Sequence, residues 1–242
     1  SSDLPRGRAR PGRGLTRRAA PAENAAMADG RTPRPAFAPW DRRTLPGLFD
    51  VEESARRVGA YAWLEMRLFE ALGGWIATVP ELDVKLVLGR HCYHHAWHAE
   101  QFQQRLPELR EMNPDRLTLP AAGIEAFAAA LTEPEGPDRT IEKLVGVFRV
   151  LLPRKVAAYT YHRNGTSTIT DAPTIRTLDF VLQDEIADWR EGEMLLQSLI
   201  STPAEVERAA RRAAELEAII TAAGGVAGPG TLGTVTDEGV VQ

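Results

Sequence analysis

The chain has 242 residues and a formal net charge of −4, with 43% hydrophobic and 26% charged residues. That length can bury one good-sized core, and the acidic balance excludes nucleic-acid binding driven by overall charge. The single cysteine, Cys92, excludes an intrachain disulfide. No apolar run approaches the roughly 18 residues a membrane span needs, so no membrane partner and a cytoplasmic location are expected.

Residues 1–46 read as a disordered arm, basic and rich in proline. Ser1-Ser2 and a first methionine at Met27 suggest that residues 1–26 are not native. Arg17-Arg18 lacks the apolar stretch that a twin-arginine export signal requires. Phe37 and Trp40, set among Pro33, Pro35, Pro39 and Pro46, are expected to lie against the body.

The globular part is expected to span residues 47–224. Asp50 reads as an N-cap, with Glu52 and Glu53 in a first turn where the helix dipole favours acids. The first long helix is expected from Val51 to Thr78, with a buried stripe of Val58, Tyr61, Ala62, Leu68, Phe69, Leu72, Trp75 and Ile76. Glu65 fills the gap in that stripe, which aims a carboxylate at the core. A second helix is expected from Pro80 to Glu111, with Pro107 ending or kinking it. Its stripe runs Val84, Val87, Leu88, His91, His95, His98, Phe102, Leu106. Four of the five histidines lie between His91 and His98, and at 3.6 residues per turn His91, His95 and His98 share a face with His94 at its edge.

Asn113-Pro114-Asp115 signals a turn, and residues 121–132 a short apolar helix. A third long helix is expected from Asp138 to Arg163, bent at Pro153. Its stripe carries Lys155 where the other helices put a ligand-type residue, with Tyr159 one turn on. Asp171 or Thr170 is expected to cap a fourth helix that ends near Ile200, with Pro173 in its first turn. Glu185 and Asp188 lie one turn apart on its inward side. A mostly polar fifth helix is expected over residues 204–222, with Val206, Ala210, Ala213, Leu216 and Ile219 or Ile220 as its apolar edge. Residues 225–242 read as a disordered tail. No Gly-rich phosphate loop, sustained strand alternation or internal repeat is visible.

Each long helix thus carries polar residues at the middle of its buried stripe. Buried alone, any one of them would cost several kcal/mol, about 2–7 for an unpaired polar group. At a common depth they satisfy one another, and bundles build metal and cofactor sites this way. Three readings of the layer stay open: a metal site, a metal-free pocket, and a satisfied polar layer without chemistry.

Residues 50–200 resemble the ferritin-like superfamily, including its di-iron carboxylate enzymes. That family has a Glu on the first helix, Glu-x-x-His on the second, a Glu on the third and Glu-x-x-His on the fourth. Glu65 matches the first position. In His95-Ala-Trp-His98 the histidine matches and His95 replaces Glu. In Glu185-Ile-Ala-Asp188 the Glu matches and Asp188 replaces His. The third-helix Glu has no counterpart, and Lys155 is the nearest inward residue. The resemblance implies an all-α fold, a ferritin-like antiparallel four-helix bundle with an additional C-terminal helix. It implies a site drawn from Glu65, His91, His95, His98, Glu185 and Asp188, with Lys155 and Tyr159 as acid/base or substrate-orienting groups. Too few carboxylates remain for two metal ions. One iron, manganese or zinc ion suits the mixed donors, and a metal-free site is equally open. The activity implied is an oxidase or oxygenase acting on a small organic substrate; the alternative is a non-catalytic bundle with a structural or partner-binding role. His94-His95-Ala-Trp-His98 has the spacing of a zinc-protease helix but lacks its Glu base. No dense acidic inner surface suggests iron storage. A homodimer is expected, through Trp63, Trp75 or the fifth helix.

Overall fold

A computed structural model describes residues 49–110 and 113–229. The arm with Phe37 and Trp40, and the tail beyond 229, lie outside the described residues. Within them every regular element is helical: α1 (Val51–Thr78), α2 (Leu82–Arg110), α3 (Pro114–Leu117), α4 (Ile124–Thr132), a 3-10 turn (Pro137–Arg139), α5 (Thr140–Leu144), a π segment (Val145–Leu151), α6 (Leu152–Gly165), α7 (Ala172–Leu199) and α8 (Pro203–Ala222). The Asp50 side chain caps α1 by accepting from Glu53 N–H. A capping box between Thr202 and Glu205 opens α8.

Four long rods surround the core: α1, α2, the run from α5 through α6, and α7. The contacts fix their directions. Cys92 on α2 lies against Phe69 on α1, and Phe102 against Tyr61, so α1 and α2 are antiparallel. Arg149 pairs with Glu193 and Arg163 with Asp179, so the third and fourth rods are antiparallel too. His91 meets Asp188 and Arg105 meets Thr174, which sets α2 antiparallel to α7. Residues 113–139, with α3 and α4, join the end of α2 to the start of α5. The core is Tyr61, Leu64, Leu68, Leu72, Leu88, Phe102, Phe148, Leu151, Tyr159, Leu178 and Val181, all essentially sealed from solvent. α4 and α8 close one side through Phe127, Leu131, Leu216 and Ile220.

The third rod is not one plain helix. Over Val145–Leu151 it widens to a π register, and the Leu152 N–H reaches back five residues to the Val147 carbonyl. Pro153 explains the position of this segment. Proline has no N–H, and its ring presses on the carbonyl four residues back. Widening the helix immediately before it removes that demand. Opposite the segment, Gly192 makes room for Phe148: a Cβ there would stand 2.1 Å from the ring.

Several expectations change. Pro107 does not end α2, which runs to Arg110, within one residue of the expected end. Asp171 precedes α7 but makes no cap bond; its carboxylate is taken by Arg105, Thr174 and Ser54. Phe69 is partly exposed, and Trp75 is buried and cannot offer a dimer face. The buried face of α8 is Ala209, Arg212, Leu216 and Ile220, while Val206 points to solvent, so the helix is rotated from the expected edge. The chain after Gly224 does not leave the body at once. Val226 and Ala227 are buried, and Arg56 donates to the Ala227 carbonyl at 2.7 Å. Gly224, with φ 76°, permits that return; a side chain there would meet Pro229.

Candidate metal centre

The rods bring together Glu65 from α1, His95 and His98 from α2, Lys155 and Tyr159 from α6, and Glu185 from α7, each fully buried. Lys155 Nζ stands at the middle. It donates to Glu65 Oε2 at 2.9 Å and to Glu185 Oε1 at 2.5 Å, and lies 3.4 Å from His95 Nδ1. His95 Nδ1 is 2.8 Å from Glu65 Oε2. Tyr159 donates its hydroxyl to the other oxygen, Glu65 Oε1, at 2.6 Å. His98 Nδ1 is 3.2 Å from Glu185 Oε1, close enough to pair but off the line of a hydrogen bond. Its Nε2 meets Asp184 Oδ2 at 3.2 Å, and Asp184 is a third exposed.

The charges follow from this geometry. Burial alone would raise Glu65, but the Lys155 ammonium, the hydrogen bond from His95 and the nearby His98 ring hold its carboxyl well below the usual range. Burial also opposes ionisation of Glu185, and Lys155 again overcomes it. Lys155 itself is raised, because its two carboxylates outweigh desolvation. His98 is pushed up to about 11: burial lowers it, and the hydrogen bond to Asp184 with the nearby Glu185 and Glu65 carboxylates more than compensates. Tyr159 is held protonated by burial and by the Glu65 charge. Two carboxylates thus face an ammonium and an imidazolium, and the buried group is close to neutral without any added ion.

The same residues fit a metal. Glu65, His95, His98 and Glu185 each offer one donor atom, and the four donors lie within 4.8 Å of one another. Donors on opposite sides of a bound iron or zinc stand about 4 Å apart, given bonds of roughly 2.0–2.2 Å. Three buried atoms of the group, His95 Nε2, His98 Nδ1 and Glu185 Oε2, have no hydrogen-bond partner among the described residues. The obstacle is Lys155, whose ammonium uses the lone pairs an ion would need.

His91 and Asp188, expected in the same site, are not part of it. They form a separate group between α2 and α7, buried themselves but paired with the partly exposed His94 and Glu191. His91 Nε2 lies 3.3 Å from Asp188 Oδ1 and 3.0 Å from Glu191 Oε2, and His94 Nδ1 lies 2.9 Å from Asp188 Oδ2. Burial lowers His91 despite those two carboxylates. Glu191 is partly exposed yet contacts both His91 and Arg90.

Asp184 escaped the sequence reading, and His162, which helical spacing puts on the buried stripe of the third helix, has partners that spacing did not show. Asp184 sits beside Glu185 on α7, at the margin of the buried stripe. Its only signal was that His98 on the facing helix has a second nitrogen to satisfy. His162, buried at the other end of α6, lies 3.3 Å from Ser54 Oγ, and burial pushes it down to about 3. Tyr61 joins it to Tyr159 through ring contacts at 5.7 and 4.4 Å. The Ser54 hydroxyl turns to Asp171, so this is not a nucleophile–base–acid relay.

Fold and site define an all-helical protein with a buried Glu/His/His/Glu cluster that could hold a metal. Compared with family models, curated proteins and solved structures, the chain matches none.

Proposed function

We propose that the protein is a ferritin-like bundle with one altered, mononuclear metal centre, and that the centre serves an oxidase or oxygenase acting on a small organic substrate. The observation that carries this reading is the convergence of four buried donors from three helices within 4.8 Å. The topology supports it: two antiparallel hairpins joined by one lengthwise crossover, as in ferritin-like bundles. Two imidazoles and two carboxylates suit iron, manganese or zinc. Iron or manganese held there would supply one-electron and dioxygen chemistry. Glu65 and Glu185 would balance the ion's charge, and His95 and His98 would complete the donors. Tyr159 holds a proton on an oxygen 2.6 Å from Glu65 Oε1, and Lys155 holds protons on a nitrogen 2.5 Å from Glu185 Oε1. Both are placed to pass a proton to a reacting group.

A second reading rests on Lys155. Because its ammonium already bridges both carboxylates, the cluster also works as a metal-free polar layer that fixes helix register. Metal analysis of untagged protein separates the two. The first reading expects about one iron, manganese or zinc per chain, lost in His98→Ala. Metal-free protein that takes up no Fe²⁺, Mn²⁺ or Zn²⁺ on titration leaves the second.

A further inference from the structure

Trp97 and Gln101 on α2 face Arg176, Thr177 and Phe180 on α7 across a surface cleft of about 240 Å³, with Arg105 at its end. The volume is below the roughly 300–1,000 Å³ of pockets for drug-sized ligands, so an occupant has about one ring. Two aromatic side chains supply flat apolar walls, one from each helix. The Arg176 guanidinium lies 5.6 Å from the centroid of the Phe180 ring, and among the described residues no carboxylate pairs with it. Gln101 and Thr177 add hydrogen-bonding groups. Aromatic walls select a planar ring, and a free guanidinium fork selects a carboxylate.

The cleft also has a position. The Trp97 ring packs 5.7 Å from the ring of His98. Phe180 and Asp184 stand four residues apart on α7, so they are neighbours on one helix face, and Asp184 holds His98 Nε2 at 3.2 Å. The cleft therefore lies one turn along the seam from the partly exposed carboxylate that contacts the buried cluster. Two larger cavities, of about 600 Å³ between α1 and α4 and about 590 Å³ beside Arg56 and Arg116, have none of the cluster residues in their walls.

We propose that this cleft binds a small aromatic carboxylate, held by its ring between Trp97 and Phe180 and by its carboxylate on Arg176. Its role as the substrate rests on the metal-centre reading; its binding does not.

Calorimetric titration of the full chain, stripped of metal by a chelator, with benzoate tests the cleft. One benzoate per chain is expected, with a change in tryptophan emission that Trp97→Phe removes. Benzamide, which keeps the ring and lacks the charge, should bind about tenfold more weakly or worse, as should benzoate to Arg176→Ala or Phe180→Ala, a loss of about 1.4 kcal/mol or more. Arg176 and Phe180 are exposed, so both variants should keep the parent melting point. No saturable benzoate binding overturns the proposal. So does benzoate binding that survives both substitutions, or inorganic phosphate binding as well as benzoate. Benzoate binding by a protein that takes up no Fe²⁺, Mn²⁺ or Zn²⁺ on titration sinks only the metal reading, and a protein that takes up one such ion per chain but binds no benzoate sinks only the cleft.

Discussion

At the scale of single residues the two most perturbed histidines act in opposite directions on stability. His98 is raised from 6.5 to about 11. It is charged in the fold and neutral in the unfolded chain across that interval, so stability is complete below 6.5 and falls as pH rises. His162 is lowered from 6.5 to about 3. It is neutral in the fold while the unfolded chain binds a proton, so stability is complete above 6.5 and falls as pH drops. Between pH 6.5 and 10 the loss belongs mainly to His98, because Tyr159 joins only above 10. Between 6.5 and 4.5 His162 shares the loss with His91, which burial also lowers. Urea unfolding against pH should therefore peak near 6.5. His98→Gln should flatten the alkaline side, and His162→Gln should lessen the acid side. Unchanged slopes in both variants would contradict these protonation states.

The residues of the site were legible because helical spacing placed them. Glu65, Lys155 and Glu185 each interrupt an apolar run at an inward position, and only depth in the bundle lets such residues pair. Spacing could not separate His91 from His95. Both lie on the inward face of α2, and what divides them is the facing residue: Glu191 and Asp188 for one, Glu65 for the other. That pairing depends on how α2 and α7 cross, which no single helix encodes.

At the scale of elements, caps and prolines marked boundaries well, as at Asp50 and Pro173, because capping is local chemistry. The π segment was not legible. Pro153 announces a disturbance, but whether a helix bends or widens depends on what packs against it. Here Phe148 points from the π segment into the space over Gly192, and its ring meets the His91 ring edge-on at 5.5 Å. Gly192→Ala would put a methyl carbon 2.1 Å from that ring, too close to keep. Phe148 would have to move, at an expected cost of about 1–3 kcal/mol for an overpacked core. The displacement should reach His91 but not the Glu65–Lys155 pair. Denaturant unfolding reads the first effect, and the histidine ring resonances of His91 against those of His95 read the second. A variant as stable as the parent would mean that Phe148 does not occupy this place in solution.

At the scale of the whole molecule the central question is what holds two buried carboxylates in a shared interior. In the structure it is Lys155. Removing one member of a buried charge network costs about 3–5 kcal/mol, since the remaining charges lose their partner. Lys155→Met should therefore weaken the metal-free protein strongly. The same change clears the middle of the donor set, so an ion meets two carboxylates and two histidines with no competing ammonium. Ligand that binds only the folded state adds about 2.7 kcal/mol at a hundredfold excess over Kd. For a folded body of this size that is on the order of 5–10 °C in melting temperature. Calorimetric scans with and without Mn²⁺ or Zn²⁺ should show a larger rise for Lys155→Met than for the parent, and no rise once His98→Ala is added. A rise of equal size in the parent and in Lys155→Met would mean that the ammonium and the ion do not compete, and would move the site away from Lys155. No rise in either protein would leave the lysine as the cation this interior was built around.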